Sequence, residues 1–375
     1  MNLTRKNRGR NTAAGLVLVV IALLLSLPLA AAAQWQVKSA DGNAHVNIGF
    51  LVQPRVEFFT RENTDRVMQN IYLRRARMIL SGRLDERTSF FFDTESAYIL
   101  KGSTNSPKQD PPMKILDFFG TRELTPNHRI DVGLILTPAC YNHLQSAASL
   151  LALDYGSFTF VEAETLQTRT GRDPGVQARG LLADKLIEYR VGIFEGLRGP
   201  QESYPFRFAG RIAVYPFQTA GTSMFYSGTA FGAVRTLSIG LAADVQRDFQ
   251  GVHGDIYYEQ PLSGGNAVTA QADFSVYEGA KRPPRFAAQS IWMGEVGFLI
   301  LDRKFGTYLQ ASQQDLDAET AMDRFILHGG FTWFLDGHRQ NLKLGVIQTS
   351  YDEPKGADEH PNGTQYLLQY QLFYL

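Results

Sequence analysis

Strict alternation of side-chain character is the feature that most limits how this chain can fold. Within Tyr72–Glu95, Arg75, Arg77 and Arg83 occupy odd-numbered positions, whereas most of the even-numbered positions between them are apolar. Because side chains alternate across a β-strand, one face of this segment is charged and the other is apolar. Three inward-facing arginines would need carboxylate partners in a dry core, but they would suit the inside of a water-filled barrel.

The same period of two recurs along the whole chain and is clearest at residues 268–277. The pattern predicts sixteen strands, at residues 46–59, 71–84, 87–98, 115–123, 129–136, 176–182, 186–195, 206–217, 235–247, 252–261, 267–278, 289–301, 305–314, 323–335, 341–351 and 364–375. No segment after the N-terminal region has the ~18 continuous apolar residues that a membrane helix requires. If this chain crosses a membrane, it therefore does so as a barrel.

The linkers between the predicted strands alternate in length. The long, polar ones are residues 60–70, 99–114, 137–175, 279–288 and 352–363. The linkers between these are mostly tight turns. Two linkers break the alternation: residues 218–234 form a long linker where a short one is expected, and the linker at Phe249 is short where a long one is expected. Long outer loops, short periplasmic turns and an even strand count are typical of bacterial outer-membrane barrels.

A soluble sandwich, a lipocalin-like barrel or a propeller would also contain many alternating strands, with the apolar face turned inward. Two observations favour a membrane barrel instead. The polar faces are rich in large charged residues, and aromatic residues cluster near strand ends, as at Trp333 and Phe334. Aromatic girdles of this kind lie at the two interfaces of a membrane barrel.

The first 33 residues have the pattern of a secretory signal. A positively charged region precedes an apolar run from Ala13 to Leu29, and Ala30–Ala33 supplies the small residues of a cleavage site. A retained membrane anchor is the alternative, since the apolar segment is long enough to span a bilayer. We predict cleavage after Ala33, a short leader at residues 34–45 and a single barrel at residues 46–375.

Charge and composition exclude several function classes. Without the four cations of the signal, the chain has 33 Lys and Arg against 37 Asp and Glu, a formal charge of −4, which argues against a nucleic-acid partner. The single cysteine, Cys140, excludes an intramolecular disulfide. The seven histidines lack metal-ligand spacing, and a G-x-S-x-G motif is absent. We predict no cofactor, no metal ligands and no catalytic residues.

The first hairpin supplies one set of candidate channel-lining residues. Arg75, Arg77 and Arg83 lie on the strand that precedes Asp93 and Glu95, so cross-strand pairing is expected. Such pairs either brace the barrel wall or form opposed charge rows that create a transverse field in a lumen. The sequence leaves both interpretations open.

The linker at 137–175 is the second candidate, because linkers beyond ~15 residues are usually functional or disordered. Its apolar stretch at 147–153 favours folding back into the barrel, where the linker would set the narrowest point. A solvated outer loop is the alternative. The charged residues of this linker are Asp154, Glu162, Glu164, Arg169, Arg172 and Asp173.

Three stretches, Leu73–Glu95, Gly171–Gly180 and Gly221–Gln246, resemble the phosphate-selective porin O and P family of outer-membrane proteins. The resemblance runs in the same order through most of the chain. It implies a sixteen-stranded barrel, passive diffusion of small solutes, a third outer loop folded into the lumen, an extended connector at 218–234 and a homotrimer. The family's phosphate channels use a lysine-rich constriction, whereas residues 137–175 contain no lysine.

These observations together predict an all-β outer-membrane porin of a Gram-negative bacterium. It would let small hydrophilic solutes or ions diffuse passively, with anions, phosphate among them, as candidates. The expected partners are outer-membrane lipid, lipopolysaccharide, the diffusing solutes and the other subunits of a homotrimer. The alternatives are a barrel enzyme of the lipase or protease type and a plugged structural or adhesion barrel.

Overall fold

The computed structural model describes residues 35–375 except 63–66, 104–106, 200–203, 220–222, 279–285, 318–321 and 353–361. The predicted signal segment therefore lies outside the described residues. Within the described residues, no helix is long and apolar enough to cross a membrane.

Seventeen strands are present among the described residues, and all but the first form a closed antiparallel barrel, which confirms the predicted fold class. The strands are β1 (Trp35–Lys38), β2 (His45–Arg61), β3 (Val67–Arg83), β4 (Thr88–Ile99), β5 (Lys114–Thr125), β6 (His128–Leu136), β7 (Arg172–Leu182), β8 (Ile187–Phe194), β9 (Arg207–Val214), β10 (Thr236–Gln246), β11 (Phe249–Pro261), β12 (Ala267–Tyr277), β13 (Gln289–Ile300), β14 (Phe305–Leu316), β15 (Arg324–Asp336), β16 (Gln340–Tyr351) and β17 (Gly363–Tyr374). From β2 onward each strand pairs with the next, and β17 pairs with β2. All sixteen predicted strands correspond to β2–β17.

The remaining elements of the described residues are short. Strand β1 lies in the predicted leader and pairs antiparallel with the start of β2, where Trp35 is opposite Ile48. Two single-turn helices, α1 (Tyr141–Leu144) and α2 (Glu162–Thr165), lie in the longest loop, and a 3₁₀ turn spans Ser263–Gly265.

The barrel is polar inside and apolar outside, the reverse of a soluble barrel. Leu241, Val252 and Val296 point outward and are more than half exposed. On the inward face, Ser238 and Thr332 are fully buried. An apolar outer wall of this kind is stabilised by contact with lipid.

One β-bulge changes which side chains of β3 face the lumen. Gln53 pairs with Arg75 while the next residue, Pro54, pairs with Leu73, so Arg74 is the extra residue. Proline has no N–H for the strand ladder and is found within sheets at edges or bulges. As a result Arg74 and Arg75 both reach the same lumen-side carboxylate, which strict alternation does not allow.

Candidate functional site in the barrel lumen

Loop 3, defined as residues 137–171, folds into the lumen. The prediction ended this loop at residue 175, but β7 already begins at Arg172. The apolar stretch Ala147–Leu153 is buried. The Leu151 side chain fills a niche that exists because Gly297 and Gly306 have no side chain: a Cβ at either glycine would lie 2.2 Å and 2.6 Å from the Leu151 methyl groups.

Polar side chains of the barrel wall bind the backbone of loop 3. Lys343 Nζ donates to Leu150 O at 2.6 Å and to Ala152 O at 2.7 Å. Thr332 Oγ1 donates to Leu151 O at 3.0 Å. Lys343 is buried, so its charge is compensated by these carbonyl groups.

A second segment enters the lumen from the barrel end that carries the short turns. We call the described residues of this segment, 215–219 and 223–235, the connector. Tyr226 N donates to Leu144 O at 2.8 Å, and Ser146 N donates to Tyr226 O at 2.9 Å. The resemblance implied an extended connector here, whereas the structure shows a segment that folds inward and pairs with loop 3. The long inner linker that broke the alternation of lengths therefore has a role inside the lumen.

The wall holds the connector through Glu259 and His338. Glu259 accepts hydrogen bonds from Thr229 Oγ1 at 3.0 Å and from Ala230 N at 2.8 Å. His338 Nε2 lies 2.9 Å from Thr229 O. Burial lowers the pKa of His338 to about 4, so the ring is neutral at pH 7 and donates from Nε2.

The main charge cluster of the lumen joins loop 3 to the wall of β2 and β3. Asp154 Oδ2 lies 2.8 Å from Arg55 Nη2, and Asp154 Oδ1 lies 3.0 Å from Arg74 Nη2 and 2.8 Å from Arg75 Nη2. Burial acts to raise the pKa of Asp154, but the three guanidinium groups outweigh it and hold the pKa well below its usual range. Asp154 is therefore ionised and keeps about a fifth of its side chain accessible.

Arg77 extends this cluster along the wall of β4. Its Nη1 lies 3.1 Å from Asp93 Oδ2 and its Nη2 lies 2.7 Å from Glu95 Oε1, while Arg75 Nε lies 3.6 Å from the same Glu95 oxygen. The whole cluster has four arginines and three carboxylates, a net charge of +1. The structure thus brings together five predicted residues, Arg75, Arg77, Asp93, Glu95 and Asp154.

Two other predicted residues lie apart from the cluster. Arg83 is exposed at the end of β3 and donates to Glu86 O. Arg169 is exposed as well, and its Nη1 donates to Ile115 O at 2.7 Å. Both contacts are with backbone carbonyl groups near the ends of strands.

The remaining predicted residues lie on β7 and α2. Arg172, buried at the start of β7, approaches Asp117 Oδ1 at 3.2 Å through Nε. Glu162 is buried and accepts from Tyr277 Oη at 3.4 Å; burial raises the pKa of Glu162 to about 7. The side chain of Glu164 lies outside the described part of the structure.

Sequence reasoning missed four residues that hold the lumen together: Arg55, Arg74, Lys343 and Glu259. Arg55 lies on the polar face of the first predicted strand, so the alternation contained its signal. Pro54 was the available signal for the bulge that turns Arg74 inward. The other two are recognisable only once loop 3 and the connector are in place.

A closed sixteen-stranded barrel with an inserted third loop has the fold of solved outer-membrane porins and channels. The anion-selective porin from Comamonas acidovorans matches with 11% identity and a TM-score of 0.61, over 88% of this chain and 100% of that one. OmpF of Salmonella typhi, solved with daunomycin, has 11% identity and a TM-score of 0.58, over 90% and 100% of the two chains. The outer-membrane channel DcaP of Acinetobacter baumannii has 14% identity and a TM-score of 0.55, over 90% and 99%.

No family model matches the sequence, and no curated protein sequence matches it. At identities this low, similarity to solved structures describes the fold alone. The phosphate-selective porin resemblance is therefore supported for the porin fold and remains a prediction for the particular family.

Proposed function

We propose that the chain is an outer-membrane porin of a Gram-negative bacterium that lets small hydrophilic solutes and ions diffuse passively, without a cofactor and without catalysis. The observation that carries the proposal is the reversed barrel, with a polar lumen and an apolar outer wall, into which loop 3 is inserted. An apolar exterior stabilises the barrel in lipid, and a polar interior accommodates hydrated solutes.

The passage runs along the wall of β2–β4. Lys343 on β16 and Glu259 on β11 bind the backbones of loop 3 and the connector, and both segments also contact the β2–β4 wall, through Asp154 and Phe225. On the β2–β4 side, Asp154 keeps part of its surface accessible. Because the cluster around Asp154 has a net charge of +1, we propose a preference for anions, with phosphate as one candidate.

Export and assembly complete the proposal. Residues 1–33 are removed as a signal peptide during export, and the mature chain assembles as a homotrimer in contact with lipopolysaccharide. Mass spectrometry of the mature N-terminus and light scattering of the detergent-solubilised protein test these two statements.

Single-channel recording in planar bilayers tests the channel itself. We expect discrete conductance steps and, in a potassium chloride gradient, a reversal potential that shows anion preference. Phosphate added as a competitor reduces the chloride current if it enters the same passage. Absence of conductance from a correctly folded barrel would contradict the proposal and favour a plugged structural barrel.

A further inference from the structure

A cavity of about 290 Å³ lies between the wall of β2–β4, loop 3 and the connector. One side of it is apolar and is formed by Ile79, Phe91 and Phe373, with Phe225 of the connector packed edge-on against Phe91 at 5.3 Å between ring centroids. Its volume is just below the ~300–1,000 Å³ typical of pockets for drug-sized molecules. The cavity therefore offers space for the apolar body of a small solute.

The part of the cavity next to this apolar side is charged and incompletely hydrogen-bonded. Asp93 lines it, is only 2% exposed, and uses Oδ2 to accept from Arg77 at 3.1 Å. Its other oxygen, Oδ1, is buried and has no hydrogen-bond partner among the described residues. An unpaired buried acceptor costs about 1–3 kcal/mol. A positively charged group in the cavity beside Asp93 would offset part of that cost by charge attraction, without a direct hydrogen bond to Oδ1.

Arg172 lines the same part of the cavity. Its Nε faces Asp117 at 3.2 Å and its Nη1 donates to Thr170 O at 2.8 Å. Within the described part of the chain no hydrogen bond engages its Nη2. The cavity is thus bordered by a carboxyl group that lacks a full set of hydrogen bonds and by a guanidinium group with a donor to spare.

We propose that this cavity binds a small zwitterion with an apolar body, the chemistry of a free amino acid with an aromatic or branched side chain. The ammonium group lies beside Asp93, the carboxylate lies beside Arg172, and the side chain packs against Phe91 and Ile79. The inference rests on the proposed channel function in that the solute reaches the cavity through the lumen.

The charges at the cavity favour a zwitterion over a singly charged solute. A plain anion would meet the carboxylate of Asp93, and the guanidinium of Arg77 is already engaged by Asp93 and Glu95. A plain cation would meet the guanidinium groups of Arg77 and Arg172. A solute that carries both charges can place each of them beside a group of opposite sign.

Calorimetric titration of the full-length protein in detergent tests the inference. The three probes share the same phenyl-substituted carbon chain and differ only in their charged groups. The probes are L-phenylalanine, which has both charges, 3-phenylpropanoate, which has the carboxylate alone, and 2-phenylethylamine, which has the ammonium alone. We expect L-phenylalanine to bind at least tenfold more tightly than either of the others. Equal binding of 3-phenylpropanoate and L-phenylalanine would overturn the inference.

Two variants that each remove one charge assign the two charges of the solute. Asp93→Asn should reduce L-phenylalanine affinity at least tenfold and leave 3-phenylpropanoate unchanged or tighter, whereas Arg172→Gln should remove the advantage of L-phenylalanine over 2-phenylethylamine. Glu123→Gln is the matched control, because it makes the same acid-to-amide change on β5 at a residue paired with Arg129 outside the cavity. Unchanged probe ratios in a folded Asp93→Asn or Arg172→Gln protein would refute the assignment.

Planar-bilayer conductance of the same preparation separates this inference from the channel proposal. A protein that conducts ions but does not discriminate among the three probes overturns the binding site and leaves the channel intact. A protein that discriminates among the probes but does not conduct overturns the channel and supports the binding site.

Discussion

Replacement of Asp154 by asparagine tests whether the arginine cluster controls ion selectivity. Asp154 is the loop 3 carboxylate held by Arg55, Arg74 and Arg75 at 2.8–3.0 Å. The substitution keeps the shape of the side chain and raises the net charge of the cluster from +1 to +2. One added charge about 5 Å from a monovalent ion in water changes the energy of that ion by about 0.8 kcal/mol, or about fourfold in local concentration.

The effect has opposite signs for anions and cations, so the anion-to-cation permeability ratio should rise by up to about sixteenfold at low salt, about fourfold for each ion. Screening reduces the effect once the Debye length shortens to about 8 Å at 0.15 M. Reversal potentials in potassium chloride gradients at two ionic strengths measure the ratio. The Glu123→Gln control removes one charge from an ion pair on β5 and should leave the ratio unchanged.

In the Asp154→Asn protein, the permeability ratio could stay constant while the conductance rises. That result would mean that loop 3 has moved and widened the passage, and that the added charge does not control selectivity. A shift toward cations would refute the electrostatic argument outright. Either result would favour the other interpretation of the sequence, in which the charge pairs only brace the barrel wall.

Three further changes probe the segments that fill the lumen. Lys343→Met removes two charge-assisted hydrogen bonds to loop 3, of about 1.5–3 kcal/mol each, and should increase conductance and current noise in bilayer recordings. Gly228→Ala places a Cβ 2.5 Å from Ser149 O, so we expect the connector to separate from loop 3 and the thermal unfolding midpoint to fall. Burial raises the pKa of Glu162 from its ordinary 4.5 to about 7, so the protonated form is favoured in the fold. The stability that Glu162 contributes should be complete below about pH 4.5 and lost as pH rises through 7, and Glu162→Gln should remove this part of the pH dependence of the unfolding midpoint.

The barrel could be predicted from the sequence because each strand is marked by a local alternation of polar and apolar residues. Each strand carries its own period of two, so β12 and β3 could be recognised without knowing their neighbours. The alternation also placed Arg75 and Arg77 on one face beside Asp93 and Glu95, and the structure joins these residues in one cluster.

What the sequence did not predict depends on contacts between distant segments. Arg74 reaches Asp154 only because a bulge opposite Pro54 breaks the alternation, and that bulge is a property of two paired strands. Glu259 holds the connector 27–30 residues away in the chain, through backbone N–H and hydroxyl groups that no spacing rule identifies. The position of the connector inside the lumen was therefore not derivable from linker length.

The apolar stretch of loop 3 can be buried inside a polar lumen because the barrel wall has an apolar patch at the place where this stretch packs. Ala267 and Leu299 are fully buried at lumen-facing positions, and with Phe334 they form an apolar cluster that receives Leu151. Around this cluster, wall side chains such as Lys343 donate hydrogen bonds to the backbone carbonyl groups of loop 3. These contacts do not depend on which side chains the loop residues carry. Inward-facing apolar residues in a strand with an otherwise polar lumen face therefore mark where an inserted loop docks, and this signal is readable from the sequence once the register of each strand is known.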